Sequence, residues 1–91
     1  MAYRRLHPRI TLDDGTELSV QASSSHYCSP KDDVGPYVSL EVLIEVGKPC
    51  PSWGNHQPYG WVSIRKLECL IARRGGIAFG DPWWRNQWTE V

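Results

Sequence analysis

Residues 37–46, YVSLEVLIEV, decide the fold of this 91-residue chain. Apolar side chains alternate there with a period of two, which is typical of a β-strand that turns one face to a core. The alternating apolar positions are Val38, Leu40, Val42, Ile44 and Val46. The positions between them include Glu41 and Glu45, which we expect on a partly solvated face.

Upstream, residues 9–22, RITLDDGTELSVQA, predict a β-hairpin. A two-residue turn would set Leu12 opposite Glu17 and separate the apolar side chains. A three-residue loop, residues 13–15, sets Leu12 opposite Thr16 and keeps the apolar side chains on one face. Gly15 then takes the left-handed position of a bulged turn, which favours glycine.

Downstream, residues 59–62 predict a short strand and residues 63–76, SIRKLECLIARRGG, predict a helix. Ser63 is a suitable N-cap, and Gly75 is suitable for the position just after the helix. One apolar stripe is expected from Ile64, Leu67, Leu70 and Ile71. The predicted fold is therefore α+β, a small antiparallel sheet of hairpin, long strand and short strand packed by one helix. We expect a single domain over residues 1–91.

The C-terminal tail, residues 77–91, holds three of the five tryptophans, Trp83, Trp84 and Trp88. Asp81 and Pro82 suit the N-cap and first turn of a short helix over residues 82–88. A helix this short is stable only when it packs against other parts of a protein. We expect the tail to form a helix or turn that docks on the domain or extends from it.

Composition is ordinary for a globular protein, but charge is unevenly distributed along the chain. The net charge is zero, with ten basic and ten acidic residues. A basic N-terminal segment, residues 1–9, precedes an acidic stretch, residues 10–46, and a basic remainder. Residues 1–10 lack the apolar run of a signal peptide, and no stretch suits a membrane span. With three cysteines in no disulfide framework, we expect a reduced, cytoplasmic protein without membrane partners.

Metal ligands are present without the spacing of a structural zinc site. The candidates are His26, Cys28, Cys50, His56 and Cys69. Neither His26-x-Cys28 nor the Cys50–His56 pair matches that spacing. Cys69 lies in the helix, where we expect a small buried hydrophobe. The sequence therefore predicts no metal and no cofactor.

Catalytic chemistry has equally weak support. Cys28 and His26 could form a thiolate–imidazole pair, with Asp32 or Asp33 orienting the histidine. No oxyanion hole is recognisable, so we do not expect an enzyme.

The tail is the strongest candidate for contact with a partner, because tryptophan and arginine are enriched at binding hot spots. The predicted partner-binding residues are Trp83, Trp84, Arg85 and Trp88, with Glu41 and Glu45 available to a basic partner. Burial of Trp84 and Trp88 in the domain's own core is the competing interpretation. Nucleic-acid binding through five cations, with the tail tryptophans stacked on bases, is less favoured, because a neutral chain lacks a broad basic footprint. Those cations are Arg65, Lys66, Arg73, Arg74 and Arg85.

Short motifs follow one another between Leu18 and the helix end. They are SVQAS at 19–23, YCSP at 27–30, GPY at 35–37, EV at 41–42, YGWV at 59–62 and GG at 75–76. In this order they resemble a group of short bacteriophage and prophage proteins without an established chemistry. Lys31 and Arg74 depart from the arginine and histidine usual there, and the tryptophan-rich tail lies beyond the match.

The resemblance implies a phage setting. Short phage proteins often act as host-takeover or counter-defence factors by stoichiometric binding, as anti-CRISPR proteins do. The expected function is non-catalytic inhibition of a host protein in the bacterial cytoplasm, with an RNA-guided CRISPR effector as one target class. The alternative is a small nucleic-acid- or zinc-binding phage accessory protein.

Overall fold

The structure, a computed structural model, describes residues 6–87 and contains one antiparallel sheet and one α-helix. The strands are β1 (Ile10–Leu12), β2 (Glu17–Gln21), β3 (Ser39–Val46), β4 (Tyr59–Ser63) and β5 (Ile77–Phe79). The helix α1 (Ile64–Arg73) follows β4 directly. The order across the sheet is β4-β3-β2-β1-β5. The predicted α+β fold is confirmed.

The hairpin adopts the register that its apolar pattern predicts. Ile10 pairs with Leu18, and the Leu12 N–H donates to the Thr16 carbonyl at 2.7 Å. Gly15 has a φ of 94°, so the three-residue loop does place a glycine where a Cβ would be strained.

One face of the sheet carries the apolar core. Leu18 pairs with Ile44 and Val20 with Val42, so these four side chains share a face. The helix adds Leu67, Leu70 and Ile71 to the same core cluster. The long strand is shorter than predicted, and Val38 and Val46 at its predicted ends are 56% and 49% exposed. The apolar alternation therefore extends beyond the residues of β3 that have a neighbouring strand on both sides, β2 on one and β4 on the other.

The second face of the sheet is also covered, but by polar contacts. Gln21 is fully buried; its Oε1 accepts from the N–H groups of Leu6 and His7 at 2.7 and 2.9 Å. The N–H of Tyr27 donates to Glu41 Oε2 at 3.0 Å. Residues 6–9 and the loop of residues 22–38 therefore fold over the face that the sequence predicts to be partly wet.

Helix α1 begins and ends as predicted. Ser63 Oγ accepts from the N–H of Lys66 at 3.1 Å, as an N-cap does. At the other end the N–H of Gly76 donates to the Ile71 carbonyl at 2.9 Å and that of Gly75 to the Ala72 carbonyl at 3.3 Å, a Schellman motif. Both glycines have positive φ.

The segment after the helix adds one strand to the prediction. Residues 77–79 form the edge strand β5 beside β1, which the sequence analysis did not identify. Of the helix or turn predicted for the tail, the described residues form the turn: Trp83–Arg85 are one 3-10 turn without a side-chain cap, in place of a helix that begins at Pro82. Trp88 lies outside the described residues. No helix among residues 6–87 is long and apolar enough to cross a membrane.

Candidate functional site

Trp84, predicted to contact a partner, is instead part of the core. Its side chain is fully buried, and its indole N–H donates to Glu68 Oε2 at 2.7 Å. Assignment of Trp84 to a partner surface is therefore wrong for this structure. The competing interpretation from the sequence is the correct one for this residue, because α1 supplies an acceptor for the indole inside the fold.

Arg85 is exposed but paired within the chain. Its Nε and Nη2 donate to the two oxygens of Glu68 at 2.7 and 2.6 Å, a bidentate geometry. These hydrogen bonds hold the pKa of Glu68 below its usual value and raise that of Arg85. A partner that used Arg85 would have to compete with Glu68.

Trp83 is partly buried, between the core residue Trp84 and the exposed Arg85, and lies beside the β2 end at Val20. Its ring stacks on His7 with centroids 4.0 Å apart and meets the edge of Tyr37 at 6.2 Å. The β1–β2 register, continued by two residues, would place Pro8 opposite Val20, and proline has no N–H to donate. The indole N–H of Trp83 donates to the Val20 carbonyl at 3.1 Å and so supplies a donor there.

Trp83 lines an open cleft of about 480 Å³, which we call the terminal cleft. Its other walls include Leu6, His7, Val34 and Tyr37. Burial lowers the pKa of His7, although nearby Asp81 opposes the effect, so a neutral imidazole is favoured beside the indole. The terminal cleft is thus mainly apolar and aromatic, with Ser23, Asp33 and Gln87 as its polar lining and part of the Trp83 ring available to an occupant.

Gln87, the last described residue, is held against this cleft by hydrogen bonds to Tyr37. Its Oε1 accepts from the N–H of Tyr37 at 2.7 Å, and its Nε2 donates to the carbonyl of Tyr37 at 2.7 Å. A single side-chain amide thus satisfies both backbone groups of Tyr37, as a neighbouring strand would.

The two glutamates predicted on a solvated face differ in their surroundings. Glu41 is only 4% exposed, because the loop that carries Tyr27 covers it, so its assignment to a partner surface is wrong. The carboxylate of Glu45 forms an ion pair with Arg9, which also pairs with Glu17 at 2.9 Å. Glu45 is thus partly buried and engaged within the chain.

An exposed aromatic pair that the sequence analysis did not single out lies at edge strand β4. Tyr27 and Trp61 are 49% and 58% exposed, and their rings stack with centroids 5.0 Å apart. The ammonium group of Lys31 lies 5.2 Å from the centre of the Tyr27 ring. We call Tyr27, Lys31 and Trp61 the aromatic platform.

The backbone beneath the platform is strained. Between Leu40 and Val42 the register of β3 with β4 shifts, and Trp61 in this bulge has a φ of 51°. A bulky residue rarely adopts this conformation. The N–H of Trp61 donates to the Tyr27 carbonyl at 2.8 Å, and a Cβ at Gly60 would come within 2.9 Å of the Tyr27 Cβ. In the sequence, Gly60 beside Trp61 within a short strand is the feature that could have indicated this bulge, because a glycine inside a strand often marks one.

The histidines and cysteines do not converge on a metal site within residues 6–87. Ser23 Oγ and His26 Nδ1 are hydrogen-bonded at 2.6 Å, and the Cys28 thiol donates to the Ser23 carbonyl at 3.2 Å. Burial raises the pKa of Cys28, which opposes formation of a thiolate nucleophile. Cys69 is exposed, so its prediction as a buried hydrophobe is wrong.

No protein-family model matches the chain, and comparisons with curated proteins and with solved structures give no match either.

Proposed function

We propose that this chain is a phage-derived, non-catalytic binding protein that inhibits a host protein in the bacterial cytoplasm by occupying its surface. The observation that carries the proposal is the aromatic platform, in which Trp61 is 58% exposed although an indole gains more than most side chains from burial. The fold holds this ring outward at a strained φ rather than turning it inward. Strain of this kind is concentrated at functional sites.

The platform has the properties of a binding hot spot. Tryptophan and tyrosine dominate hot spots because a large rigid ring loses little conformational entropy on binding. The stacked geometry of Tyr27 and Trp61 already restricts both rings, which reduces the entropic cost of association. Lys31 adds a positive charge at the rim, so an aromatic or aliphatic patch with a neighbouring acidic group is the complementary surface.

The terminal cleft provides a second, weaker contact region in this proposal. Trp83 keeps part of its ring open there, and Arg85 is exposed although paired with Glu68. Trp88 remains a predicted contact, outside the described residues. Trp84 and Glu41 have no part in the proposed surface, because both are buried.

A host defence complex, such as an RNA-guided CRISPR effector, is the proposed class of target. The support is the resemblance, over about residues 10–76, to phage and prophage proteins, together with a surface suited to stoichiometric binding. Binding that blocks a functional surface of such a complex would inhibit it without any reaction by this chain.

The test is inhibition of purified effector complexes, with binding measured in parallel. Trp61→Asn is the informative variant, because asparagine tolerates positive φ and so preserves the fold. We expect it to weaken binding by about 30-fold or more, as a hot-spot residue does. Phe79→Ala is the matched control, since Phe79 is 76% exposed on the opposite edge strand. Equal binding by wild type and Trp61→Asn would refute the platform as the site.

The Trp83→Ala/Arg85→Ala double variant tests the terminal cleft separately. A smaller loss than that of Trp61→Asn is expected, because Arg85 already satisfies Glu68 in the free protein. No loss at all would remove the cleft from the proposed surface and leave the platform intact.

The nucleic-acid alternative is favoured by a different feature, the basic outer face of α1, where Arg65, Lys66 and Arg73 are exposed. Binding of a nucleic acid there would not require the aromatic platform.

A further inference from the structure

The outer face of α1 and the loop of residues 47–54 enclose a row of shallow depressions lined by cations. One depression, of about 390 Å³, has Arg65, Lys66 and Arg73 in its wall. A second, of about 380 Å³, shares Arg73 with the first and adds Arg74. A third, of about 330 Å³, shares Arg74 and adds Lys48; the hairpin loop also lines it and contributes one acid, Asp14. We call this row, with its five cations, the basic furrow.

Most of this charge is not neutralised within the described part of the chain. Salt bridges among residues 6–87 involve only Arg9 and Arg85 as cations, so Lys48, Arg65, Lys66 and Arg73 have none. Glu68 of the same helix is already bound by Arg85. Hydrogen bonds with Thr16 are the main cause of the lowered pKa of Asp14, and the nearby charge of Arg74 lowers it further, so Arg74 is a furrow cation that has an acid beside it.

An aromatic ring lies in the same furrow. Trp53 lines the first depression with the three cations and is only partly buried. It meets Tyr59 edge to face, with centroids 5.6 Å apart, and this contact fixes its orientation. The indole is thus held beside the basic side chains.

We propose that the basic furrow binds single-stranded nucleic acid, with the cations on successive phosphates and Trp53 stacked on one base. Arginine binds phosphate oxygens in a bidentate geometry, and a row of cations follows a backbone that carries one charge per nucleotide. Arg65 and Arg73 are eight residues apart on α1, about 12 Å along the helix axis, which spans a few nucleotides. An acidic peptide would satisfy the cations but would leave the indole without a stacking partner.

The preference for a single strand follows from the same ring. An indole stacks on the face of a base only when that base is not covered by its neighbours. A duplex should therefore bind more weakly than a strand of the same sequence.

The experiment is fluorescence anisotropy with a labelled oligothymidine, titrated at salt concentrations from about 50 to 200 mM. Five phosphate contacts, one for each cation of the furrow, predict a slope of log affinity against log salt of about −3.5, a loss of roughly 100-fold over this range. The triple variant Arg65→Gln/Lys66→Gln/Arg73→Gln should reduce that slope by about 2. Glutamine is nearly as good a helix former as lysine or arginine, so circular dichroism should show α1 intact.

Three further variants separate the contributions. Lys31→Gln removes a cation outside the furrow and should leave the slope as in wild type, whereas Arg73→Gln alone should reduce it. Trp53→Leu should weaken binding about 5-fold or more without changing the slope, because stacking releases no counterions.

Absence of binding, or a slope that the triple variant leaves unchanged, would overturn the proposal. Equal affinity for a polyglutamate peptide of the same charge would overturn it in favour of an acidic protein partner, and equal affinity for duplex would overturn the stacking role. These results are distinguishable from failure of the proposed protein-binding function, because Trp61→Asn leaves the furrow unchanged.

Discussion

The indole N–H of Trp84 and the Nε–H of Arg85 both donate to the same oxygen of Glu68, each at 2.7 Å. This shared acceptor ties the C-terminal segment to α1. Two consecutive residues that look like an exposed hot spot in the sequence are thus used, at least in part, to close the fold.

Trp84→Ala should therefore destabilise the fold strongly. Removing a fully buried tryptophan leaves a cavity and an acceptor without its donor, so we expect a loss of about 3–5 kcal/mol in the free energy of unfolding. Urea denaturation followed by far-UV circular dichroism measures it. Phe79→Ala, at an exposed aromatic residue, should change stability by less than about 0.5 kcal/mol. A similar small change for Trp84→Ala would show that the ring is not a core element.

Glu68 should make stability depend on pH in the acid range. Because its pKa is lowered in the folded state, the unfolded chain binds the proton more readily. Its contribution is therefore complete above the usual pKa of 4.5 and is lost as pH falls through the lowered folded-state pKa.

Glu68→Gln should accordingly be about 1–2 kcal/mol less stable than wild type at pH 7, with the difference shrinking towards acid pH. Urea midpoints measured across the acid range test this. A difference that stays constant with pH would mean that the strength of the hydrogen bonds from Trp84 and Arg85 does not depend on the charge of Glu68.

Trp61 should tolerate asparagine better than valine. At a φ of 51° a β-branched side chain is strongly disfavoured, whereas asparagine adopts this region with little strain. Trp61→Asn should exceed Trp61→Val in the free energy of unfolding by about 1 kcal/mol or more. Both lose the ring stacking on Tyr27, so that loss cancels in the comparison. Equal stability would indicate that the bulge relaxes when the indole is removed.

The two glycines that end α1 should differ in their tolerance of a methyl group. A Cβ at Gly75 would come within 2.8 Å of the Asp13 Cβ, whereas one at Gly76 would meet nothing within 4 Å. Both have positive φ, so Gly76→Ala measures the backbone strain alone, about 1 kcal/mol. Gly75→Ala should cost more by thermal denaturation, because the hairpin loop would also have to move. The reverse ranking would contradict this packing.

Gln21→Leu should release Leu6 and His7 from the sheet. The leucine would remove two acceptor contacts to the N–H groups of Leu6 and His7 and the donor to the His7 carbonyl. We expect faster hydrogen exchange at Leu6 and His7, with Gly76 and other amides of the helix end unaffected. Unchanged exchange at residues 6 and 7 would mean that other contacts hold the segment.

The local elements of this protein are determined by its sequence. The register of the hairpin, the existence of the long strand, the Ser63 cap and the glycine end of α1 follow from periodicity and backbone preference. These signals depend only on residues within a few positions of one another. They suffice for an α+β fold with a helix after the last predicted strand.

Only the tertiary structure decided which side chains are available to a partner. Residues 77–79 become a strand because β1 offers an open edge, and Glu41 is buried because the N–H of Tyr27 reaches it from fourteen residues away. Trp84 is buried because Glu68 accepts its indole N–H, and Trp61 is exposed because a bulge turns it outward. Whether a side chain is buried or exposed depends on contacts between segments that are distant in the sequence. A buried tryptophan and an exposed one can have the same neighbours and spacing, so the sequence pattern does not distinguish them.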